Sequence, residues 1–172
     1  MTSPDRSPRW TRTGLPVPGR LDLLPRLDYE GRLRGPGGPE PAVTLAWLGE
    51  VDGPLPVGAV DAVGDVASGW NQVLARVVGA AVVDRRGTVW VEPEAGWLLG
   101  DSPELAALRA ACLAALAQVV PVPAQPEPWQ ALVPTGGAWF PGGPPPAPEG
   151  EVLFDRLRLR WGDRAYSWRL LG

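Results

Sequence analysis

The chain has 172 residues, a formal net charge of −3, and neither histidine nor lysine. Neither a Ser-His-Asp nor a Cys-His catalytic arrangement can be built without histidine, and Schiff-base chemistry needs a lysine. The lone cysteine, Cys112, excludes an intramolecular disulfide and a thiolate zinc site, so we expect no metal site and no cofactor.

The length indicates one domain, and no run approaches the roughly 18 apolar residues of a membrane span. Residues 1–19 are rich in Pro, Ser, Thr and Arg and predict a flexible N-terminal arm, followed by a single domain over 20–172. The polar N-terminus lacks the apolar core of a secretory signal, so we expect a cytoplasmic protein. Arginine and glycine are frequent while isoleucine is absent, which is typical of a high-GC bacterium.

The first half of this domain predicts strands and then a helix. Alternating apolar residues from Leu21 to Leu33 predict a strand pair bent at Pro25, and residues 42–48 predict another strand. From Pro56, apolar residues recur at steps of three and four as far as Val77, which predicts one long amphipathic helix.

A hairpin and a second helix are expected next. Residues 80–83 and 88–91 alternate around a turn that ends at Gly87. Asp101 and Glu104 resemble a capping box, and Pro103 suits a first helical turn. The apolar stripe of this helix contains Leu105, Leu108, Cys112, Leu116 and Val119.

Residues 121–149 are rich in proline and predict an irregular segment, after which the chain ends in a hairpin. A two-residue turn at Gly162 and Asp163 fixes the register of that hairpin. Leu159 then faces Tyr166, and arginines fill the opposite face. The whole pattern predicts an α+β fold, with a mainly antiparallel sheet built from hairpins and two principal helices packed on one face.

One run of residues resembles a known family. Val73 to Gly87 is similar to the helix-to-hairpin start of roadblock-type domains, which are small non-enzymatic adaptors that dimerise. The strands before the first helix, the irregular segment and the absence of a final helix depart from that family. We therefore do not assign the chain to it.

The arginine-rich side of the last hairpin is one candidate site, with Phe154 beside it. Basic residues interleaved with aromatic rings on a sheet suit a single-stranded nucleic acid. In the alternative interpretation, these arginines pair with acids of the acidic middle segment, residues 37–150. The candidate nucleic-acid-binding residues are Arg156, Arg158, Arg160, Arg164, Arg169 and Trp161.

Aromatic residues outside the predicted core form a second candidate site. Tryptophan is enriched in binding hot spots because it buries a large area with few rotatable bonds. Alternatively, the proline- and tryptophan-rich segment folds back as a lid that completes the core. The candidate partner-binding residues are Trp90, Trp97, Trp129, Trp139 and Phe140.

Two sets of carboxylates are candidates for metal-dependent hydrolysis: Asp22, Asp28 and Glu30 on a strand, and Asp61 and Asp65 on the first helix. Both fall where a solvated face is expected, so we assign no catalytic residue. Cys112 lies on an apolar stripe and is expected to be buried and unreactive.

These observations favour a non-catalytic protein-interaction domain: an adaptor, a chaperone-like protein or an immunity-type factor. The expected partner is another protein, with a homodimer or a nucleic acid as alternatives and no role for a membrane. The alternative function is a single-stranded nucleic-acid-binding protein that uses the arginines of the last hairpin.

Overall fold

The computed structural model of the chain describes residues 26–33, 41–48, 54–83, 94–125, 127–137, 147 and 149–172. These residues form an α+β fold, as the sequence predicts. Its elements in chain order are β1 (Arg26–Leu33), β2 (Ala42–Trp47), α1 (Ala59–Ser68), β3 (Val73–Val83), β4 (Glu94–Leu99), α2 (Pro103–Ala117), β5 (Leu132–Gly137), β6 (Glu151–Trp161) and β7 (Arg164–Arg169).

The strands form one sheet in the order β2-β1-β6-β3-β4-β5, with β7 paired to β6 outside this path. All of these pairings are antiparallel. β6 is the central strand, because one of its edges pairs with β1 while the other pairs first with β3 and then with β7. The last hairpin is therefore part of the middle of the sheet.

Both helices pack on one face of this sheet. α2 contacts β2 and β3, and α1 contacts β6, β7 and α2. The stripe predicted for α2 is correct for Leu105, Leu108, Cys112 and Leu116, which are all buried. Val119, its fifth predicted member, lies beyond the end of the helix and is half-buried. Within the described residues, neither helix is long and apolar enough to cross a membrane.

The first helix is much shorter than its apolar pattern predicts. α1 ends at Ser68, and Val73–Val83 forms β3 instead of continuing the helix. Val73 and Val77 lie on the buried face of β3, and a spacing of four residues fits both a helix and a strand. The helix-to-hairpin resemblance to roadblock-type domains is therefore wrong, because its proposed helical start is a strand.

Three other boundaries differ from prediction. The strand that pairs with β3 is Glu94–Leu99, and the turn and strand predicted over residues 84–91 lie outside the described residues. The N-cap of α2 is Ser102, not Asp101, because the Ser102 Oγ accepts a hydrogen bond of 3.2 Å from the Leu105 amide.

Within the irregular segment predicted over 121–149, Leu132–Gly137 forms β5. The predicted arm, residues 1–19, also lies outside the described residues.

Candidate functional site

The β6–β7 hairpin has the register that the sequence predicts. Arg156 pairs with Arg169, Arg158 with Ser167, and Arg160 with Ala165. Because directly paired residues of antiparallel strands lie on the same side of the sheet, the four arginines share one face. We call Arg156, Arg158, Arg160 and Arg169 the arginine face.

A bulge at Asp155 explains why two aromatic residues lie elsewhere. Glu30 of β1 pairs with Arg156, but the next residue, Gly31, pairs with Phe154, so Asp155 is the extra residue. The alternation along β6 therefore shifts by one residue at this point. Phe154 is fully buried in the core instead of lying beside the arginines, which corrects the prediction.

Trp161 and Arg164 flank the Gly162-Asp163 turn, as predicted, but they lie on the side of the hairpin opposite the arginine face. Trp161 is only 5% exposed and packs in the hydrophobic core, so its ring is not available for stacking on a base. Arg164 pairs directly with Trp161 and therefore belongs to the other side of the hairpin, where it is exposed. The predicted combination of arginines with aromatic rings is therefore not available to a ligand, because Phe154 and Trp161 are both buried in the core.

The strand on the other side of β6 carries acids. Asp28 of β1 pairs with Arg158, and Glu30 pairs with Arg156. Two acids of β1 are thus in register with the arginine face. On the β7 side, the Arg158 Nε donates a hydrogen bond of 3.1 Å to the Ser167 Oγ.

The exposure of the arginines rises toward β7. Arg156, Arg158 and Arg160 are half-buried, whereas Arg169 is exposed. Arg169 is therefore the member of the arginine face most open to a ligand.

The structure describes two of the five candidate partner-binding residues, Trp97 and Trp129. Trp97 lies on β4 and Trp129 just before β5, and both are half-buried against the core. The indole Nε1 atoms of both are buried without a hydrogen-bond partner. Trp90, Trp139 and Phe140 lie outside the described residues.

Trp129 belongs to a polar cluster that the sequence reasoning missed. The guanidinium carbon of Arg109 on α2 lies 4.9 Å from the centre of the Trp129 ring. Arg109 is 8% exposed and forms a salt bridge of 2.9 Å with Glu127. A signal was present in the sequence, because Arg109 falls between Leu105 and Cys112 at the spacing of the buried stripe.

The carboxylates considered for hydrolysis do not form a described metal site. Asp61 and Asp65 are exposed on α1. Asp22 and the side chains of Asp28 and Glu30 lie outside the described part of the structure. Across the residues that the structure describes, no three or more His, Cys, Asp or Glu side chains are grouped to hold a metal ion.

Cys112 is buried on α2, as predicted. Burial disfavours the charged thiolate and raises the pKa of Cys112 from its ordinary value of 9.0 to about 12. A thiol with that pKa does not act as a nucleophile near neutral pH.

The raised pKa predicts a loss of stability at alkaline pH. Between pH 9 and about 12 the unfolded chain loses the thiol proton while the folded chain keeps it, so the folded state loses stability as the pH rises. We expect the stability advantage of the native chain over Cys112→Ala to shrink by about 1 kcal/mol per pH unit above pH 9. Urea unfolding of both proteins at several pH values measures this difference. A stability difference between the two proteins that stays constant from pH 9 to about 12 contradicts the raised pKa of Cys112.

No protein-family model matches the chain, and no curated protein matches it. Solved structures do match. Escherichia coli LigT complexed with 3′-AMP is 16% identical with a TM-score of 0.48, and a structure described as a phosphoesterase is 16% identical with a TM-score of 0.47. LigT in its apo form is 16% identical with a TM-score of 0.42. Each match covers 87% of this chain and 99% of the other chain.

These findings contradict three of our expectations: a non-catalytic adaptor, chaperone-like or immunity-type factor, a chain that is not an enzyme, and a role defined by protein binding. The similar structures are LigT and a structure described as a phosphoesterase.

Proposed function

We propose that the arginine face binds the phosphate groups of a single-stranded nucleic acid. The observation that carries this proposal is the direct pairing of Arg156 with Arg169. Like charges that lie directly opposite each other on antiparallel strands repel and destabilise the pair. An anion bound beside the two guanidinium groups is attracted by both charges, in addition to the interaction that Arg156 makes within the chain.

The charge along the paired positions supports an anionic ligand. Three rows of directly paired residues cross β1, β6 and β7. From β1 to β7 they are Glu30–Arg156–Arg169, Asp28–Arg158–Ser167 and Arg26–Arg160–Ala165. These rows contain five arginines and two acids, which gives 5 − 2 = +3. The rows lie about 6.6 Å apart, because a strand rises about 3.3 Å per residue.

Charge, and not stacking, supplies the affinity in this proposal. Trp161 and Phe154 are buried on the core side, so neither ring stacks on a base. A flexible single strand can lay its phosphates along a row of cations without presenting its bases. We therefore expect binding that depends strongly on salt and tolerates different sequences.

The test measures the fluorescence anisotropy of labelled single-stranded RNA and DNA with the double variant Arg156→Gln/Arg169→Gln. We expect an affinity about tenfold or more below that of the native chain at low salt. The slope of log K against log salt should fall by roughly 1.4, since each lost phosphate contact contributes about 0.7 for a single strand. Circular dichroism checks that the variant is folded.

The matched control is Arg76→Gln. Arg76 is an exposed arginine on β3 that pairs with Glu151, at the other end of β6. It should change the affinity less than about twofold, because the described residues of this row are one arginine and one acid. The proposal is wrong if the native chain does not bind at low salt, or if Arg76→Gln weakens binding as much as the double variant.

Two further measurements define the ligand. A duplex of the same sequence tests the preference for single strands, and 3′-AMP, the compound in one of the similar structures, tests whether a lone nucleotide is sufficient. The oligonucleotide is recovered after each titration and its length is measured, so that any cleavage is detected in the same experiment.

A further inference from the structure

The buried arginine on α2 is only partly satisfied. The Arg109 Nε donates a hydrogen bond of 3.0 Å to the Leu45 carbonyl, and its Nη1 donates one of 2.9 Å to the Glu127 Oε1. The remaining nitrogen, Nη2, is buried and has no hydrogen-bond partner. A buried guanidinium nitrogen without an acceptor is unusual, because the loss of hydration is then not compensated.

A second unused donor lies in the same cluster. The Trp129 ring stacks against the guanidinium at 4.9 Å, and its Nε1 is also buried without a partner. The cluster thus offers two unused N–H donors, one of them on a cation. An oxygen acceptor, and above all an anionic one, is the chemical group that such donors bind.

The pose of Glu127 shows which anion fits. Its Oε1 accepts from Arg109, and its Oε2 accepts a hydrogen bond of 3.1 Å from the Trp129 amide. A planar carboxylate is therefore held by two donors between α2 and the segment before β5. The Glu127 side chain is 64% exposed, so it can leave the cluster without crossing the core.

The segment around Glu127 is anchored independently of this contact. The Gln125 side chain accepts from the Trp47 amide at 2.9 Å and donates to the Trp47 carbonyl at 2.8 Å. These bonds fix the segment to the end of β2, beside the Leu45 carbonyl that holds Arg109. These bonds do not involve the Glu127 side chain, so they still anchor the segment to β2 when that side chain moves.

We propose that the Arg109–Trp129 stack is a binding site for the carboxylate group of a small ligand, which Glu127 occupies until that ligand displaces it. Glu127 makes two hydrogen bonds there and leaves the Arg109 Nη2 and Trp129 Nε1 unused. A ligand carboxylate that reaches either unused donor gains a bond that Glu127 does not make, and this gain drives the exchange. The site lies on α2 and the segment before β5, so this proposal does not depend on the arginine face.

The test uses sodium acetate as the probe and sodium chloride at matched ionic strength as its reference. In Glu127→Ala the site is vacated, and we expect acetate to raise the melting temperature saturably while chloride does not. The indole N–H resonance of Trp129, assigned by its loss in Trp129→Phe, should shift over the same range. In the native chain the same shift should need about tenfold more acetate, because Glu127 competes as a tethered ligand.

The controls separate a specific site from a general effect of acetate. Glu104→Ala removes another exposed acid of the α2 region and should respond as the native chain does, with the Trp129 shift at about tenfold higher acetate than in Glu127→Ala. Arg109→Gln/Glu127→Ala should abolish the response, and Glu127→Gln provides a second variant in case Glu127→Ala does not fold. An acetate response equal to that of chloride in both Glu127 variants overturns the site. A native chain whose Trp129 resonance never moves overturns the displacement by a ligand.

Discussion

Gly31→Ala is expected to lower the free energy of unfolding by about 3 kcal/mol, because a methyl group at this position has no space. A Cβ on Gly31 would overlap the Leu153 carbonyl group and the Phe154 Cα, which are backbone atoms of β6. β1 is held between β2 and β6, so it cannot move away without breaking a pairing. Urea unfolding followed by tryptophan fluorescence measures the change.

The matched control for this glycine is Gly79→Ala. A Cβ on Gly79 would have no heavy atom within 4 Å, so we expect either no change or a gain of up to about 1 kcal/mol from the less flexible unfolded chain. Equal unfolding midpoints for the two variants would show that β1 and β6 do not approach closely at the bulge.

Phe154→Ala is expected to cost about 3–5 kcal/mol of stability, through lost apolar burial and the cavity left behind. Phe154 is fully buried and lies between Val73 of β3 and Gly31 of β1. The unfolding free energy from urea titration is again the measurement. Phe154→Leu should recover much of the loss, because it refills most of the volume.

Its neighbour Leu153 is the control that tests the bulge itself. Leu153 is half-buried on the other side of β6, so Leu153→Ala should cost about 1 kcal/mol. If Leu153→Ala proves as damaging as Phe154→Ala, the shift of alternation at Asp155 is refuted.

The parts of the fold that sequence could predict are those that local chemistry determines. The register of the last hairpin was predicted correctly from its Gly162-Asp163 turn and the alternation on both sides. α2 was predicted from its stripe and from Pro103 in the first turn, although its cap is one residue further on. In both elements, neighbouring residues suffice to specify the structure.

The errors arise where contacts between residues that are distant in the sequence determine the structure. The Asp155 bulge is invisible in β6 alone, because the extra residue is accommodated by Gly31 of a strand far earlier in the chain. A glycine inside a strand is itself a signal for a bulge, but it does not identify the partner residue. No proline marks the end of α1, so the apolar spacing of Val73 and Val77 was interpreted as a continuation of the helix.

The candidate site was predicted in part for the same reason. The four residues of the arginine face follow from alternation, so they were found. The sequence prediction put Phe154 beside this face and Trp161 next to its turn, because neither the bulge nor the core packing can be read from β6 alone. The Arg109 cluster depends on a carbonyl of β2 and on Glu127, and these contacts form only in the folded chain.

The position of β6 in the chain has a consequence for how the protein folds during synthesis. β6 follows both helices in sequence, yet it joins the β2-β1 pair to the β3-β4-β5 group, which have no other pairing with each other in the described sheet. Each group therefore carries an unpaired strand edge until residues 151–161 have been translated. Completion of the sheet must await this late strand, and its many sequence-distant pairings favour slow folding.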